Sequence, residues 1–244
     1  MVIKAVVTGH SRGLGEAVAA ELLARGASVL GVARAGNEAL AARYPLLQQV
    51  ALDLADTASL AAWLKGGAMA AFLAGAQTAL LVNNAGIVQP VAPAGRQDPQ
   101  ELARAMALNV AAPVLLSNAF LQSAVRMDRR IVHISSGAGR QPYAGWSAYC
   151  TSKAALDMHA RAVRADNVAG LRIASVAPGV IDTDMQAALR AASTEDFPQR
   201  PRFDALKREG GLASPADTAR RLADYVLSPS FGSEALADLR SLTA

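Results

Sequence analysis

The stretch Thr8-Gly9-His10-Ser11-Arg12-Gly13-Leu14-Gly15 follows an apolar run, Met1 to Val7, and leads into a helical stretch, Glu16 to Arg25, closed by Gly26. Three glycines there let the backbone turn tightly from a strand into a helix, which begins a βαβ unit. The pattern then repeats. Apolar runs at Ser28 to Val32, Leu47 to Leu52, Ala79 to Val82, Ile131 to Ile134 and Leu171 to Ala177 are separated by helix-like segments, among them Asp56 to Leu73. Strands buried on both faces read as continuous apolar runs, so the chain is expected to be an α/β protein. Its fold should be a doubly wound, Rossmann-type, mostly parallel sheet with helices on both faces.

Neither a repeat nor a low-complexity linker interrupts the alternation, and 244 residues with 52% hydrophobic content suit one domain, 1–244. Asp98-Pro99 has the form of a cap followed by proline at the first helical position, and that helix is expected to run through Asn109 and Pro113 towards Arg126. A further helix carries Tyr149 and reaches about Arg164. From Pro178 to Ser214 the alternation stops; with Pro198 and Pro201 it reads as a long irregular segment, helical only near Met185 to Ala192, and as a substrate loop or lid. Phe197 and Phe203 within it read as anchors to the body. A weak helix, Ala216 to Leu227, and a short run, Ala235 to Leu239, close the chain.

The net charge of +4 comes from scattered basic residues with only four lysines, which argues against nucleic-acid binding. One cysteine, Cys150, excludes an internal disulfide and a cysteine metal cluster. The three histidines, His10, His133 and His159, have no zinc-like spacing, so no metal is expected. Neither a signal peptide nor an uninterrupted apolar run of about eighteen residues is evident, so the expectation is a cytoplasmic protein without a membrane span.

Chemistry concentrates around Tyr149 and Lys153. Four residues apart on a helix, they share a face, so the ammonium can sit beneath the phenol and favour its ionised form. Ser136 lies thirteen positions earlier, at the carboxyl end of a strand, where open α/β sheets bind ligands. With Asn83-Asn84-Ala85-Gly86, Asn109 and Pro178-Gly179, these motifs resemble those of the short-chain dehydrogenase/reductase family, TGxxxGxG, NNAG, Ser with Tyr-x-x-x-Lys, and PG, in the family's order and spacing. The resemblance runs from residue 1 to about residue 185.

The resemblance implies that Tyr149 exchanges the substrate proton, that Ser136 hydrogen-bonds the substrate oxygen, and that Lys153 lowers the phenol pKa and binds the nicotinamide ribose. Asn109 would hold a water in a proton relay. The cofactor would be cradled by Gly9, Ser11, Arg12, Gly13, Leu14 and Gly15, by Asn83, Asn84, Ala85 and Gly86, and by Pro178, Gly179, Ile181 and Thr183, with Asp53 and Leu54 bordering the adenine. After the second strand the chain reads Val32-Ala33-Arg34, without the acidic residue that would bind a ribose 2′-hydroxyl. Arg34 and Arg12 are instead placed to meet a 2′-phosphate, which implies NADP(H).

The run Asp182-Thr183-Asp184-Met185-Gln186, the later Leu206-Lys207-x-x-Gly210 and the Phe231-Gly232-Ser233 ending resemble the branch of the family that contains sepiapterin reductases and bacterial benzil reductases. That implies reduction of a ketone beside a second carbonyl, in a vicinal dicarbonyl or a pterin side chain. Met185 is expected at the substrate, and Trp146 either walls the pocket or packs against the loop. Alternatives are a 3-oxoacyl thioester or hydroxysteroid reductase, and a non-catalytic NADP-sensing protein. Relatives associate through the helices bearing Asn109 and Tyr149, which implies a homodimer or a homotetramer.

Overall fold

Seven parallel strands form the sheet that the apolar runs predict: β1 Ile3–Thr8, β2 Ser28–Ala33, β3 Leu47–Ala51, β4 Thr78–Asn83, β5 Asp128–Ile134, β6 Leu171–Ala177 and β7 Leu236–Asp238. This computed structural model describes residues 1–125 and 127–242. The strand order is β3-β2-β1-β4-β5-β6-β7. The order reverses direction between β1 and β4, which opens a crevice at the carboxyl ends of those two strands.

Side chains alternate across the sheet and build two cores. Ala5, Val7, Leu80, Val82, Val132, Ile134, Ala174 and Val176 face one way, against α1 (Gly13–Ala24), α2 (Glu38–Arg43) and α10 (Pro215–Leu227). Val6, Ala79, Leu81, Ile131 and Ile173 face the other way, against α3 (Thr57–Lys65), α4 (Ala68–Leu73) and α6 (Ala112–Ser123). α5 (Pro99–Met106) leads into α6, and α7 (Ser147–Ala165) completes that layer. The result is the three-layered doubly wound fold expected from the sequence.

Local departures have local causes. The segment from Asp56 to Leu73 is two helices, not one, because Gly66-Gly67 separates them and Gly67 adopts a left-handed φ of +76°. Asp98 caps α5 by accepting from the Gln100 and Glu101 amides at 2.9 Å, with Pro99 in the first turn. A π-turn over Ala107–Ala111 then carries Asn109, and the helix ends at Ser123; the expected end at Arg126 lies outside the described residues. By length and composition alone Pro99–Ser123 would suffice to cross a membrane, the one such helix among the described residues. Here it serves as a core helix, with Leu116 and Phe120 almost fully buried against the sheet.

The region from 178 to 214 is more ordered than its prolines imply. It holds α8 (Asp184–Ala191) and α9 (Arg200–Arg208), and Pro201 sits in the first turn of α9, where its missing N–H has no partner to lose. A bridge between Ile181 and Ala213 ties the two ends together, with the Ala213 amide donating to the Val180 carbonyl at 2.9 Å and the Asp182 amide to the Ala213 carbonyl at 3.0 Å. Lys207 closes the base through an ion pair with Asp182 at 2.6 Å.

Candidate active site

A cavity of about 600 Å³ occupies the crevice above β1 and β4 and extends beneath α8 and α9. Its first half is backbone. Gly9 and Gly13 adopt left-handed φ values of +70° and +59°. At Gly15 a Cβ would lie 2.1 Å from the Gly9 carbonyl oxygen, so only glycine allows this turn to fold on itself. No side chain caps the start of α1, and Gly9, Ser11, Arg12, Gly13, Leu14 and Gly15 all line the cavity. Free amides at a helix start beside an open cradle fit the pyrophosphate of a dinucleotide.

The turn is clamped to the next loop by the Thr8 hydroxyl, which accepts from the Asn84 and Ala85 amides at 2.9 and 3.0 Å, while Asn84 Nδ2 donates to the Thr8 carbonyl at 2.9 Å. Asn84, Ala85 and Gly86 line the cavity. Asn83 does not, which corrects its expected place in the cofactor site. It shares the α6 face of β4 with Ala79 and Leu81, is buried, and directs Nδ2 at Ser117 Oγ (3.3 Å) and His133 Nδ1 (3.1 Å). Strand alternation explains the difference between the two neighbouring asparagines.

Arg34, Asp53 and Leu54 line the end of the cavity beyond β2 and β3. Asp53 is paired with Arg104 at 2.8 Å, whereas Arg34 is exposed, near Asp53, and within ion-pair distance of no carboxylate among the described residues. Arg12 also borders the cavity, but its guanidinium reaches Asp184 of α8 at 3.2 Å. Asp184, for which the sequence assigned no role, thus joins the glycine turn to the covering helix. Pro178, Gly179, Ile181 and Thr183 lie along the wall opposite Asn84, and Thr183 Cγ2 would be 3.5 Å from a Cβ at Gly13.

Ser136, Tyr149 and Lys153 meet on the cavity wall. Tyr149 is 7% exposed, and burial pushes its phenol up to about 12, with the Ser136 hydroxyl pulling the other way. Lys153 lies under the ring, Nζ 5.5 Å from its centroid, and donates to the Ile134 carbonyl at 2.8 Å. The expected fall in the phenol pKa therefore does not occur here: the ammonium is directed at a backbone carbonyl and desolvation of the phenol dominates. Burial in turn pushes Lys153 down to about 8, against the opposing charge of Asp157.

Asn109 is buried behind the wall, not on it. Its amide exchanges two hydrogen bonds with Ile87, accepting at 2.9 Å and donating at 2.8 Å, and donates to Ser152 Oγ at 3.2 Å. It thereby holds the chain after Gly86, whose absent Cβ would come within 3.2 Å of Asn109 Oδ1.

The far half of the cavity is aromatic and apolar. Trp146 stacks at tilted angles on Tyr149 and Phe197, with centroids 4.9 Å away in both cases, and meets Phe203 at 5.8 Å. The two readings of Trp146 are thus both realised: it lines the cavity and packs against the covering segment. Met185 lines the same region. Sequence reasoning missed Val88, Tyr143, Gln186, Leu189, Arg202 and Arg240, which come from loops and helices whose orientation local spacing does not reveal. Gln186 is 8% exposed, and among the described residues neither its Oε1 acceptor nor the buried Trp146 Nε1 donor has a hydrogen-bond partner.

The chain is similar to known proteins in sequence and fold. The family described as short chain dehydrogenase matches residues 4–194. Benzil reductase ((S)-benzoin forming) of Bacillus cereus is 35% identical over 238 residues, covering 93% of this chain and 94% of the relative. Sepiapterin reductase of Meriones unguiculatus is 37% identical over 250 residues, with 96% and 94% covered. A crystal structure of a short-chain dehydrogenase/reductase from Burkholderia vietnamiensis, 46% identical, superposes with a TM-score of 0.72 over 99% of this chain and 98% of that one.

Proposed function

The chain belongs to the short-chain dehydrogenase family, and on that premise we propose that it is an NADPH-dependent carbonyl reductase whose substrates carry a second oxygen beside the ketone, vicinal dicarbonyls foremost. Membership makes it an oxidoreductase that uses a nicotinamide cofactor. The observation that carries the reading is the meeting of Tyr149, Ser136 and Lys153 on the cavity wall, with Lys153 Nζ 5.5 Å from the centroid of the Tyr149 ring.

The phenol is protonated at neutral pH, the form a general acid must have in ketone reduction; burial makes it a weaker acid, but the forming alkoxide is a stronger base still. The glycine turn and the Asn84–Gly86 loop would hold a nicotinamide cofactor, which would supply the hydride to the carbonyl carbon. As that carbon becomes tetrahedral, Tyr149 Oη gives its proton to the forming alkoxide. Ser136 Oγ donates a hydrogen bond to the same oxygen, and donors aimed at developing negative charge lower the barrier. Lys153 keeps the wall cationic below the phenol and offers ammonium protons to a ribose. Asn109 fixes Gly86 and Ile87, and so the width of the cofactor cleft.

For the cofactor's 2′ position, Arg34 is an exposed charge at the cavity's end, while the nearby Asp53 carboxylate is held by Arg104. A guanidinium there favours a phosphate over a hydroxyl. Two features support a substrate with a second oxygen: the names of the benzil and sepiapterin reductases that this chain resembles, and the buried Trp146 Nε1 donor, which has no partner among the described residues. An unpaired buried donor costs about 1–3 kcal/mol, which a ligand oxygen accepting from it offsets.

A homodimer is part of the same reading. Met158 on α7 is 59% exposed, and Leu102, Met106 and Val110 form a half-buried stripe on the helix bearing Asn109; a second copy would cover these apolar side chains. The test of function is NADPH oxidation with benzil, 1-phenyl-1,2-propanedione, sepiapterin, matched monoketones and an acetoacetyl thioester. Turnover highest with the dicarbonyls supports the proposal, and a preference for the thioester or for none of them refutes it.

A further inference from the structure

Asp157 lies two turns beyond Tyr149 and one beyond Lys153 on α7, 5% exposed, and its carboxylate joins α7 to the 135–140 segment and to β6. Oδ1 accepts from two hydroxyls, Ser135 Oγ and Ser175 Oγ, each at 2.7 Å. Oδ2 accepts from Arg140 Nε at 3.2 Å. Arg140 continues outward, donating through Nη2 to the Ala237 carbonyl of β7 at 3.0 Å and, more weakly, to the Ser175 carbonyl at 3.4 Å. Ser135 and Arg140 bracket the short segment that carries Ser136. The remainder of that segment is pressed onto α7: a Cβ at Gly139 would come within 2.9 Å of the Lys153 carbonyl carbon.

We propose that Asp157 is a positioning residue, which sets the place of the Ser136 hydroxyl against Tyr149 by holding both ends of the 135–140 segment through Ser135 and Arg140. The inference rests on the reductase reading for its kinetic consequences, but the contacts themselves do not. Without the carboxylate, Ser135 Oγ and Arg140 Nε would lose their shared partner, and the Ser136 hydroxyl would depend on its contacts with Tyr149 and with the Ala138 amide at 3.2 Å. A misplacement of that hydroxyl weakens a hydrogen bond that strengthens as the alkoxide forms, so kcat should suffer more than ground-state binding. The same carboxylate opposes the loss of charge on Lys153, one helical turn away. A buried carboxylate with three donors is also a plausible plain staple, and the two serines distinguish these roles. Each gives Asp157 one bond of equal length from a buried position, yet Ser135 belongs to the Ser136 segment and Ser175 to the middle of β6.

The test compares Ser135→Ala, Ser175→Ala and Asp157→Asn. Positioning requires that Ser135→Ala and Asp157→Asn lower kcat about tenfold or more with the NADPH dissociation constant unchanged, and that Ser175→Ala leaves kcat within about twofold while lowering the melting temperature. Amide hydrogen exchange on the ligand-free proteins gives a readout independent of turnover. The Ala138 and Gly139 amides should exchange faster in Ser135→Ala and Asp157→Asn but not in Ser175→Ala. Equal effects of the two serine variants on exchange overturn the proposal, whether or not any ketone is reduced. An inactive wild type with the unequal exchange pattern would instead refute the reductase reading and leave the positioning role standing.

Discussion

Removing the charge of Lys153 should change how stability depends on pH. Lys153 is 4% exposed, and burial pushes it from the ordinary 10.5 down to about 8. A lysine whose folded pKa lies below its unfolded value destabilises the fold while the unfolded chain binds the extra proton. The penalty is complete below the folded value and fades as the pH rises towards 10.5, so stability increases with pH through that window. At roughly 1.4 kcal/mol per pKa unit, the penalty is about 3 kcal/mol at pH 7 and about 1 kcal/mol at pH 10. Lys153→Met keeps the apolar stem and removes the titration, at the pH-independent cost of leaving the Ile134 carbonyl without its donor. Urea unfolding of both proteins at pH 7 and pH 10, followed by tryptophan fluorescence without cofactor, should show the wild type gaining about 2 kcal/mol on the variant between the two pH values. Parallel behaviour across that range would mean that Lys153 is not desolvated as described, and would remove the physical basis for treating it as a functional charge placed at a cost to the fold.

Arg34→Glu should raise the NADPH Michaelis constant about 10- to 100-fold and leave that for NADH nearly unchanged; equal shifts for both would mean that Arg34 does not meet the 2′-phosphate. Trp146→Phe, which removes the unpaired Nε1 donor, should reduce the preference for a diketone over its matched monoketone about tenfold, read as a ratio of kcat/KM values. An unchanged ratio would place the second oxygen elsewhere. Gly15→Ala drives a methyl to within 2.1 Å of the Gly9 carbonyl oxygen, so NADPH binding by calorimetry should weaken at least about tenfold while the sheet still folds; retained affinity would show that the turn opens freely.

Much of this was legible because the signals are local. Apolar runs marked the strands, the glycine turn marked the first helix start, and an i, i+4 spacing brought Tyr149 and Lys153 to one wall. Reading failed where orientation or distant neighbours decide. Asn83 and Asn84 look alike in sequence, but β4 alternation sends the first to Ser117 and His133 and leaves the second at the crevice. Pro198 and Pro201 signalled irregular chain, yet Pro201 opens α9, and the buried rings of Phe197 and Phe203 hold that segment on Trp146. Gln186 and Arg240 reach the cavity only because α8 folds back over it and Arg240, after β7, lies beside Gly179. The phenol pKa was misjudged because spacing reports the neighbouring ammonium but not the burial that outweighs it.

Tyr149→Phe deletes one hydroxyl from the cavity wall and leaves the ring to pack on Trp146. Single-turnover reduction of benzil, with NADPH bound and saturating, isolates the step that this hydroxyl serves. Loss of the proton donor should slow hydride transfer about 100-fold or more with the NADPH dissociation constant unchanged; transfer within a few-fold of wild type would show that the proton comes from elsewhere.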